Sequence, residues 1–463
     1  MPVISTTDHR PGNGKLKVAP TQTAQPAFTS NRNKVKIKRK DNRRLKSSAS
    51  WLLDNQIGIS FNLIALLLFV HLFVPRARHT TSKLFLPSHY NPNTEKYAIG
   101  DGDFYFLAFY VVLFTGLRAG FMEYILAPLA TQWGITKKKD ITRFSEQAWL
   151  LCYYSVFWTL GLYIYCTSKY FLNLPEMFTD WPTRELPGLT KAYILGQWAF
   201  WLQQILVINI EERRKDHWQM LAHHLVTVVL ISTSYALHLT RVANLVLILM
   251  DVVDIFFPLA KCLKYLGYTT ARDILFGVFM LSWFLARHVC YLITMWSIWK
   301  HMPETIAVGC YHGSQDSLRG PTPLPSDGDW SHAWAPFHDP AGTICYSNGV
   351  RWGFLGALGF LQVLTVLWFV LIVQVAVRVV KGIGADDIRS DDEAEQEAAE
   401  EEDELVPVTE YKICNEIGVA ALGGSGWARR TGGTRRTASS SGVSLTGHFD
   451  RKELLSRIGC EKQ

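Results

Sequence analysis

The sequence lacks an apolar segment near its start. Residues 1–50 are polar and basic and contain no h-region of the kind that a cleaved signal peptide needs, so the first membrane segment is expected to act as the anchor. A Gly-rich phosphate-binding loop is also absent, as is any internal repeat with a period of about 20 to 50 residues. The chain therefore offers no motif for nucleotide phosphate chemistry and no sign of a repeat architecture.

Long apolar runs dominate the middle of the chain. They gather into blocks of about 20 residues, the length that crosses the hydrocarbon core of a bilayer. The 16 tryptophans and 18 tyrosines are typical of rings placed at lipid headgroups. These features predict an all-α polytopic membrane protein with eight spans, at 55–74, 103–132 (bent near Gly116 or Pro128), 146–167, 193–210, 217–239, 242–264, 274–298 and 350–380.

Four regions follow from this pattern. They are a disordered basic cytosolic tail at 1–50, two transmembrane helices within 51–145, a six-helix domain at 146–382 and a disordered tail at 383–463, first acidic and then rich in Ser, Gly and Arg. A nuclear-localisation or nucleic-acid interpretation of the basic tail is disfavoured, because a membrane segment follows at once. The net charge of +7 is an average over these unlike regions.

The distribution of basic residues predicts the orientation. A cytosolic N-terminal tail places two basic loops and the C-terminal tail in the cytosol, as the positive-inside rule requires. The loop at 75–102 is basic as well and does not fit that rule. The segment at 299–349 is then lumenal, and its Cys310 and Cys345 are either a disulfide, if the lumen is oxidising, or two unpaired thiols. The basic residues of the two cytosolic loops are Lys137, Lys138, Lys139 and Arg143, and Arg213, Arg214 and Lys215.

The stretch from Glu211 to Lys264 holds ionisable residues inside two apolar runs. His223 and His224 lie in the first run, and Asp251 and Asp254 lie in the second. Ionisable groups in membrane spans are costly to insert and by default mark a functional site.

Helical geometry separates the two histidines. Successive residues are turned by about 100°, so one imidazole can act on a substrate while the other packs or orients. His223 lies about 9 Å and Asp254 about 15 Å from the cytosolic ends of two antiparallel helices, at 1.5 Å per residue. Such groups can meet in the cytosolic half of the bilayer, where a reactant with a soluble head and a lipid tail would place its reacting atoms. The face of His223 also carries Asp216, Met220, Thr227 and Ile231, and the stripe of the aspartates continues through Pro258 and Lys261.

Several chemistries suit this constellation. A neutral imidazole beside a carboxylate is a common proton acceptor. A purely structural alternative has the histidines satisfied between helices and the aspartates paired with Arg287 or Arg118. Metal binding by the two histidines and two aspartates is disfavoured, because the further histidine clusters of membrane desaturases and hydroxylases are absent. Arg287 and its neighbour His288, deep in the seventh span, are suited either to a polar headgroup or to an aspartate.

The motif as a whole resembles that of ceramide synthases, the longevity-assurance branch of the TLC-domain proteins. The segments VLFTGLRAGFMEYILAPLA within 111–130 and LSWFLARHVCYL at 281–292 resemble helices of fungal members. The animal-type homeobox-like insert is not visible. The sequence departs from the expected pattern at 241–244, where RVAN stands in place of a segment with glycine. The resemblance covers about residues 100–380, with a TLC domain at about 146–382, and rests on Arg214, Lys215, Asp216, His223, His224, Thr227, Asp251, Asp254 and Lys261.

The resemblance implies N-acylation of a sphingoid long-chain base by a fatty acyl-CoA in the endoplasmic reticulum membrane, giving a ceramide. It implies no cofactor, since acyl-CoA is a substrate, and the expected partners are acyl-CoA, sphingoid base, membrane lipids, and a homodimer or small single-pass regulatory subunit, with no nucleic acid. The alternative is a TLC protein without catalytic activity that binds or moves lipids or serves as a cargo receptor. The implied catalytic residues are His223, His224, Asp251 and Asp254, and the implied substrate-binding residues are Arg213, Arg214, Lys215, Asp216, Thr227, Lys261, Arg287 and His288.

Overall fold

The computed structural model describes residue 51 and residues 55–210, 216–324, 335 and 337–381. The predicted tails at 1–50 and 383–463 lie outside these residues. Nine helices account for most of the described chain: α1 Asn55–Phe73, α2 Arg78–Phe85, α3 Gly102–Gln132, α4 Lys138–Cys166, α5 Gly188–Ile210, α6 His217–Ala236, α7 Thr240–Tyr265, α8 Thr269–Thr305 and α9 Asn348–Val380.

Six of these helices are long and apolar enough to cross a membrane, namely α1, α3, α4, α7, α8 and α9. The prediction of an all-α polytopic membrane protein is therefore confirmed. The other two predicted spans are also continuous helices, α5 of 23 residues and α6 of 20. Glutamines in α5 and histidines in α6 lower their mean hydropathy, so the count of eight spans stays a prediction.

Two of the long helices contain a π-helical segment. In α3 it spans Met122–Leu126, between Gly116 and Pro128, the two alternative positions predicted for a bend. Pro128 has no N–H to donate to the carbonyl of Tyr124, which accounts for the irregular turn just before it. In α8 the segment spans Phe284–Cys290 and includes Arg287 and His288. Single π turns inside α-helices occur frequently at functional sites.

The helix α7 is interrupted once. It consists of Thr240–Asp251 and Val253–Tyr265, with a turn at Val252 between them. Pro258 continues inside the second part and, because it has no N–H, leaves the Asp254 carbonyl without its usual helical donor. The irregular turn thus lies between the two aspartates.

Two small antiparallel sheets lie outside the long helices, and sequence patterns did not predict them. The first consists of β1 Tyr90–Asn91, β2 Lys96–Ala98 and β3 Glu185–Leu186, in the order β1-β2-β3. The second consists of β4 Gly309–His312, β5 Arg319–Thr322 and β6 Ile344–Tyr346, in the order β5-β4-β6. The register of the second sheet places Cys310 opposite Cys345, and a disulfide joins them.

The connection between α4 and α5 packs on the second sheet through a buried arginine. Arg184 is 2% exposed and donates to the carbonyls of Tyr311 and Gly342 at 3.1 and 2.8 Å. Burial lowers the pKa of its guanidinium to about 10. Since buried donors are costly to leave unpaired, these bonds hold the connection and the sheet together.

The core where α3, α5 and α6 meet combines aromatic packing with a buried ion pair. Lys191 of α5 lies 2.7 Å from Asp103 of α3, and both side chains are almost fully buried. Tyr235 of α6 donates to the same carboxylate at 2.7 Å. Removing one partner of a buried ion pair costs about 3–5 kcal/mol, so this cluster fixes one end of α6, the helix that carries the dihistidine.

Candidate active site

A cavity lies between α6, α7, α8 and α9, with one residue contributed by α5. Its empty volume, counted to include the opening, is ≈ 630 Å³. His223, Asp254 and Arg287 lie toward one end, and the rest of the wall is apolar apart from Thr227 and Ser234. The lining residues are Trp201, His223, Thr227, Leu230, Ile231, Ser234, Val242, Ala243, Val246, Leu247, Met250, Asp254, Arg287, Phe354, Leu358 and Leu361.

The two histidines occupy different places, as helical geometry predicted. His223 lines the cavity and shares that face of α6 with Thr227 and Ile231. His224 does not line it, and its Nδ1 lies 2.6 Å from the carbonyl oxygen of Met220, one turn earlier. Because a carbonyl can only accept, His224 Nδ1 carries the proton and the tautomer is fixed. The ring of Trp201 contacts both imidazoles, with centroid distances of 5.5 Å to His223 and 5.0 Å to His224.

The imidazole of His223 is held by aromatic contacts. Its ring centroid lies 5.3 Å from that of Trp368 on α9, in addition to the contact with Trp201. Its Nδ1 is buried and has no hydrogen-bond partner among the described residues. Packing therefore fixes the ring position while leaving Nδ1 without a hydrogen bond in the described part of the chain.

The two aspartates also differ in surroundings. Asp254 lines the cavity, and its Oδ2 lies 2.9 Å from a guanidinium nitrogen of Arg287. The same nitrogen donates to the carbonyl of Met250 at 2.6 Å, and the guanidinium lies 4.2 Å above the ring of Trp283. The pairing of Arg287 with an aspartate was one of the two expectations for this arginine. Of the residues that line the cavity in the described part, it is the one with a permanent positive charge.

Asp251 lies behind the cavity wall and is fully buried. Its Oδ2 accepts a 2.6 Å hydrogen bond from the side-chain amide of Gln197 on α5. The Oε1 of Gln197 in turn accepts from the hydroxyl of Tyr153 on α4 at 3.0 Å. The other oxygen of Asp251 is buried without a hydrogen-bond partner in the described residues.

Neither histidine forms a hydrogen bond with either aspartate within the described part of the chain. The sequence suggested a direct imidazole–carboxylate pair, but the structure pairs Asp254 with Arg287 and Asp251 with Gln197. His223 and Asp254 are brought together instead as two groups facing one cavity.

The remaining predicted site residues are spread around this centre. Thr227 lines the cavity and donates to the carbonyl of His223 at 2.9 Å. His288 points away from it, toward Gln362 of α9 at 2.8 Å. Lys261 lies 4.3 Å above the ring of Phe257, outside the cavity lining. Asp216 precedes the first residue of α6, and Arg213, Arg214 and Lys215 lie outside the described residues.

Sequence reasoning missed the residues that hold the charged groups. Gln197 was recognisable in principle, because an amide in the middle of a predicted span is itself costly and calls for a partner. Trp201 and Trp368 carried no such signal, since aromatic residues are common in any membrane helix. No group of three or more His, Cys, Asp and Glu side chains in the described chain is arranged to hold a metal ion.

Comparisons with known proteins identify the family of the chain. The family model of the TLC domain matches residues 143–374. The ceramide synthase FUM18 of Gibberella moniliformis is 41% identical over 404 residues, which cover 87% of this chain and 90% of that protein. The sphingosine N-acyltransferase-like protein ALT7 of Alternaria alternata is 43% identical over 74% of this chain and 77% of its own length. The sphingosine N-acyltransferase lag1 of Schizosaccharomyces pombe is 38% identical over 78% and 85%. The chain belongs to the ceramide synthase family of TLC-domain membrane proteins.

Proposed function

We propose that this protein is a sphingosine N-acyltransferase that transfers a fatty acyl group from acyl-CoA to the amine of a sphingoid long-chain base. The observation that carries the proposal is the cavity with His223, Asp254 and Arg287 at one end and an apolar wall beyond them. A thioester held at the polar end would have its hydrocarbon chain in the apolar part. The names of the relatives support the same reaction.

His223 is the group proposed to contact the reacting atoms. In the direct route the amine attacks the thioester carbonyl and gives a proton to the imidazole, which then passes it to the departing CoA thiolate. One C–N bond forms and one C–S bond breaks, so the imidazole ends neutral. In the covalent route His223 attacks first and CoA leaves, forming an acyl-imidazole that the amine then resolves. Both routes need an imidazole nitrogen free of hydrogen bonds within the protein.

The other charged groups support that step. Arg287 faces the same space as His223 and suits the negative charge that develops on the carbonyl oxygen. Asp254 neutralises Arg287 when no substrate is present and favours an imidazolium in the same cavity. His224, with its proton fixed on Nδ1, and Asp251, behind the wall, act by orienting the helices that carry His223 and Asp254.

The orientation and partners belong to the same proposal. The protein resides in the endoplasmic reticulum membrane with both termini cytosolic, as the basic loops favour. Acyl-CoA then approaches from the cytosol, and Arg213, Arg214 and Lys215, which precede α6 in the sequence, attract its phosphates. The reaction needs no resident cofactor, because acyl-CoA enters as a substrate. A homodimer, or a complex with a small single-pass regulatory subunit, is the proposed assembly.

The test is ceramide formation by the purified protein, measured by mass spectrometry after addition of a sphingoid base and an acyl-CoA. Wild type should form product, and His223→Ala and His224→Ala should each abolish it, while Ser232→Ala, on α6 but outside the cavity lining, should not. Wild type without product, or undiminished product from His223→Ala, would refute the proposal. Binding of either lipid without any product would favour a carrier or cargo receptor.

A second measurement separates the two routes. Intact-mass analysis after incubation with acyl-CoA alone should show one acyl adduct in wild type, and none in His223→Ala, if the covalent route operates. Absence of an adduct under conditions that support turnover would favour direct attack by the amine.

A further inference from the structure

A buried hydrogen-bond chain connects three helices to the turn that carries the aspartates. It runs from the Tyr153 hydroxyl on α4 to Gln197 Oε1 on α5 at 3.0 Å, and from Gln197 Nε2 to Asp251 Oδ2 on α7 at 2.6 Å. Gln197 and Asp251 are both 0% exposed and Tyr153 is 4% exposed. None of Tyr153, Gln197 and Asp251 lines the cavity.

The donor and acceptor roles along the chain are determined. Gln197 Nε2 can only donate and the carboxylate accepts from it, so the carbonyl end of the amide must face Tyr153 and accept from its hydroxyl. Tyr153 thereby fixes the direction of the Gln197 amide. Its ring is stacked on Phe200 with a centroid distance of 3.4 Å, which holds the hydroxyl in place.

Gln197 binds to the least regular part of α7. The helix is interrupted at Val252, where the backbone hydrogen bonds are long, from Val252 N–H to the Ile248 carbonyl at 3.2 Å and from Ile255 N–H to the Val252 carbonyl at 3.4 Å. Two side chains from other helices add to these long bonds in holding the turn. Gln197 binds Asp251, and Arg287 binds both the Met250 carbonyl and Asp254. A shift of Asp251 would therefore move the Arg287–Asp254 pair, which faces the cavity.

We propose that Gln197 is a positioning residue for acyl transfer, oriented by Tyr153 and acting through Asp251 on the placement of Asp254 and Arg287. This inference rests on the proposed N-acyltransferase function. Gln197 does not touch the cavity, so its loss should leave the binding of the acyl chain intact and impair the chemical step. The expected signature is a lowered kcat with an unchanged KM for acyl-CoA.

The test compares Gln197→Leu, Tyr153→Phe and the double variant, with kcat and KM for acyl-CoA measured from ceramide formation. Gln197→Leu should lower kcat roughly 10- to 100-fold, the effect of losing a hydrogen bond to a charged group. Tyr153→Phe keeps the stacked ring and should lower kcat by a smaller factor. The double variant should be no slower than Gln197→Leu alone, because the hydroxyl acts only through the amide.

Gln203→Leu is the matched control. Gln203 lies on the same helix, is 1% exposed, and has no hydrogen-bond partner for either side-chain polar atom in the described part of the chain. Its replacement should leave kcat near that of wild type, and thermal unfolding in detergent should show that all variants are folded.

Three outcomes would overturn the inference. They are a kcat for Gln197→Leu equal to that of wild type, an equal loss in Gln203→Leu, and effects of Gln197→Leu and Tyr153→Phe that multiply in the double variant. If Gln197→Leu does not fold, Tyr153→Phe decides alone, and an unchanged kcat would count against the inference. Wild-type protein that forms no ceramide would instead refute the proposed function, so the two failures are distinguishable.

Discussion

Ala243→Leu is expected to shorten the longest acyl chain that the protein transfers. Ala243 lies on α7 and lines the cavity near the end remote from His223. Along α6, Ser234 is eleven residues beyond His223, and along α7, Val242 is twelve residues from Asp254, so the cavity extends about 17–18 Å at 1.5 Å per residue. An extended acyl chain advances about 1.2 Å per bond, similar to the advance per bond of an extended polypeptide backbone. A cavity of this depth therefore fits about 14 or 15 carbons.

The magnitude follows from the volume that the leucine fills. Leucine adds three carbons to the alanine side chain, and these occupy the space of about three methylenes at the closed end. At about 0.8 kcal/mol for each methylene excluded from an apolar environment, the longest accommodated chain loses about 2.4 kcal/mol, or roughly 60-fold in kcat/KM. A chain shorter by four carbons does not reach Ala243 and should react as it does with wild type.

The assay is a competition among saturated acyl-CoAs of different chain length, with ceramides quantified by mass spectrometry. Leu358→Ala, which opens the cavity from α9, should shift the profile toward longer chains. Ala236→Leu is the matched control, because Ala236 lies on α6 outside the cavity lining. An unchanged profile for Ala243→Leu, or a loss that is equal at every chain length, would refute the assignment of this cavity to the acyl chain.

Three further predictions concern stability. Asp254→Ala leaves the charge of Arg287 uncompensated and should lower the free energy of unfolding by about 3–5 kcal/mol, part of which a second change of Arg287→Leu should restore in thermal unfolding. Cys310→Ser opens a loop with a sequence separation of 35 and should cost about 4 kcal/mol in the same assay, with altered mobility on a non-reducing gel. His238 lies in the turn between α6 and α7, and burial together with nearby Arg184 lowers its pKa to about 3. Because the unfolded chain binds a proton near pH 6.5 that the folded protein does not, stability should fall by about 2 kcal/mol between pH 7 and pH 5, and His238→Gln should flatten that dependence. The first prediction would be contradicted by equal thermal unfolding of Asp254→Ala and the double variant, and the second by unchanged gel mobility of Cys310→Ser. The third would be contradicted by the same pH dependence of stability in wild type and His238→Gln.

The sequence was sufficient for the part of the site that depends on helical geometry. Adjacent residues on a helix are turned by about 100°, so the sequence alone predicted that His223 and His224 face different surroundings. The same geometry placed Thr227 and Ile231 beside His223. Because the costs of burying charge in a membrane are general, the ionisable residues within 211–264 could also be selected as the candidate site.

The pairing of those charges could not be predicted, because it depends on contacts between helices far apart in the sequence. Arg287 and Asp254 are 33 residues apart, and Gln197 and Asp251 are 54 apart. Sequence patterns define the face of a helix but not which face of another helix it meets. The π-helical turn that contains Arg287 made this pairing harder still to predict. It changes the direction in which the later side chains of α8 point, compared with a regular α-helix.

The hydrogen bonding of these polar groups supports the proposal that His223 is the reactive one. In a site surrounded by apolar helices each unpaired polar atom is costly, so the fold is expected to pair all groups except those that substrate will use. Five of the six ionisable side chains in this region form at least one hydrogen bond: His224 with Met220, Asp251 with Gln197, Asp254 with Arg287, and His288 with Gln362. One further polar atom each of Asp251, Arg287 and His288 is buried without a partner among the described residues. The imidazole of His223 contacts the rings of Trp201, Trp368 and His224, and its Nδ1 is buried without a hydrogen-bond partner among the described residues. It also faces the cavity, whereas His224 does not. The imidazole of His223, with a nitrogen that has no partner among the described residues and a ring that faces the apolar cavity, is therefore the group most available to an acyl carbon or to the proton of an amine.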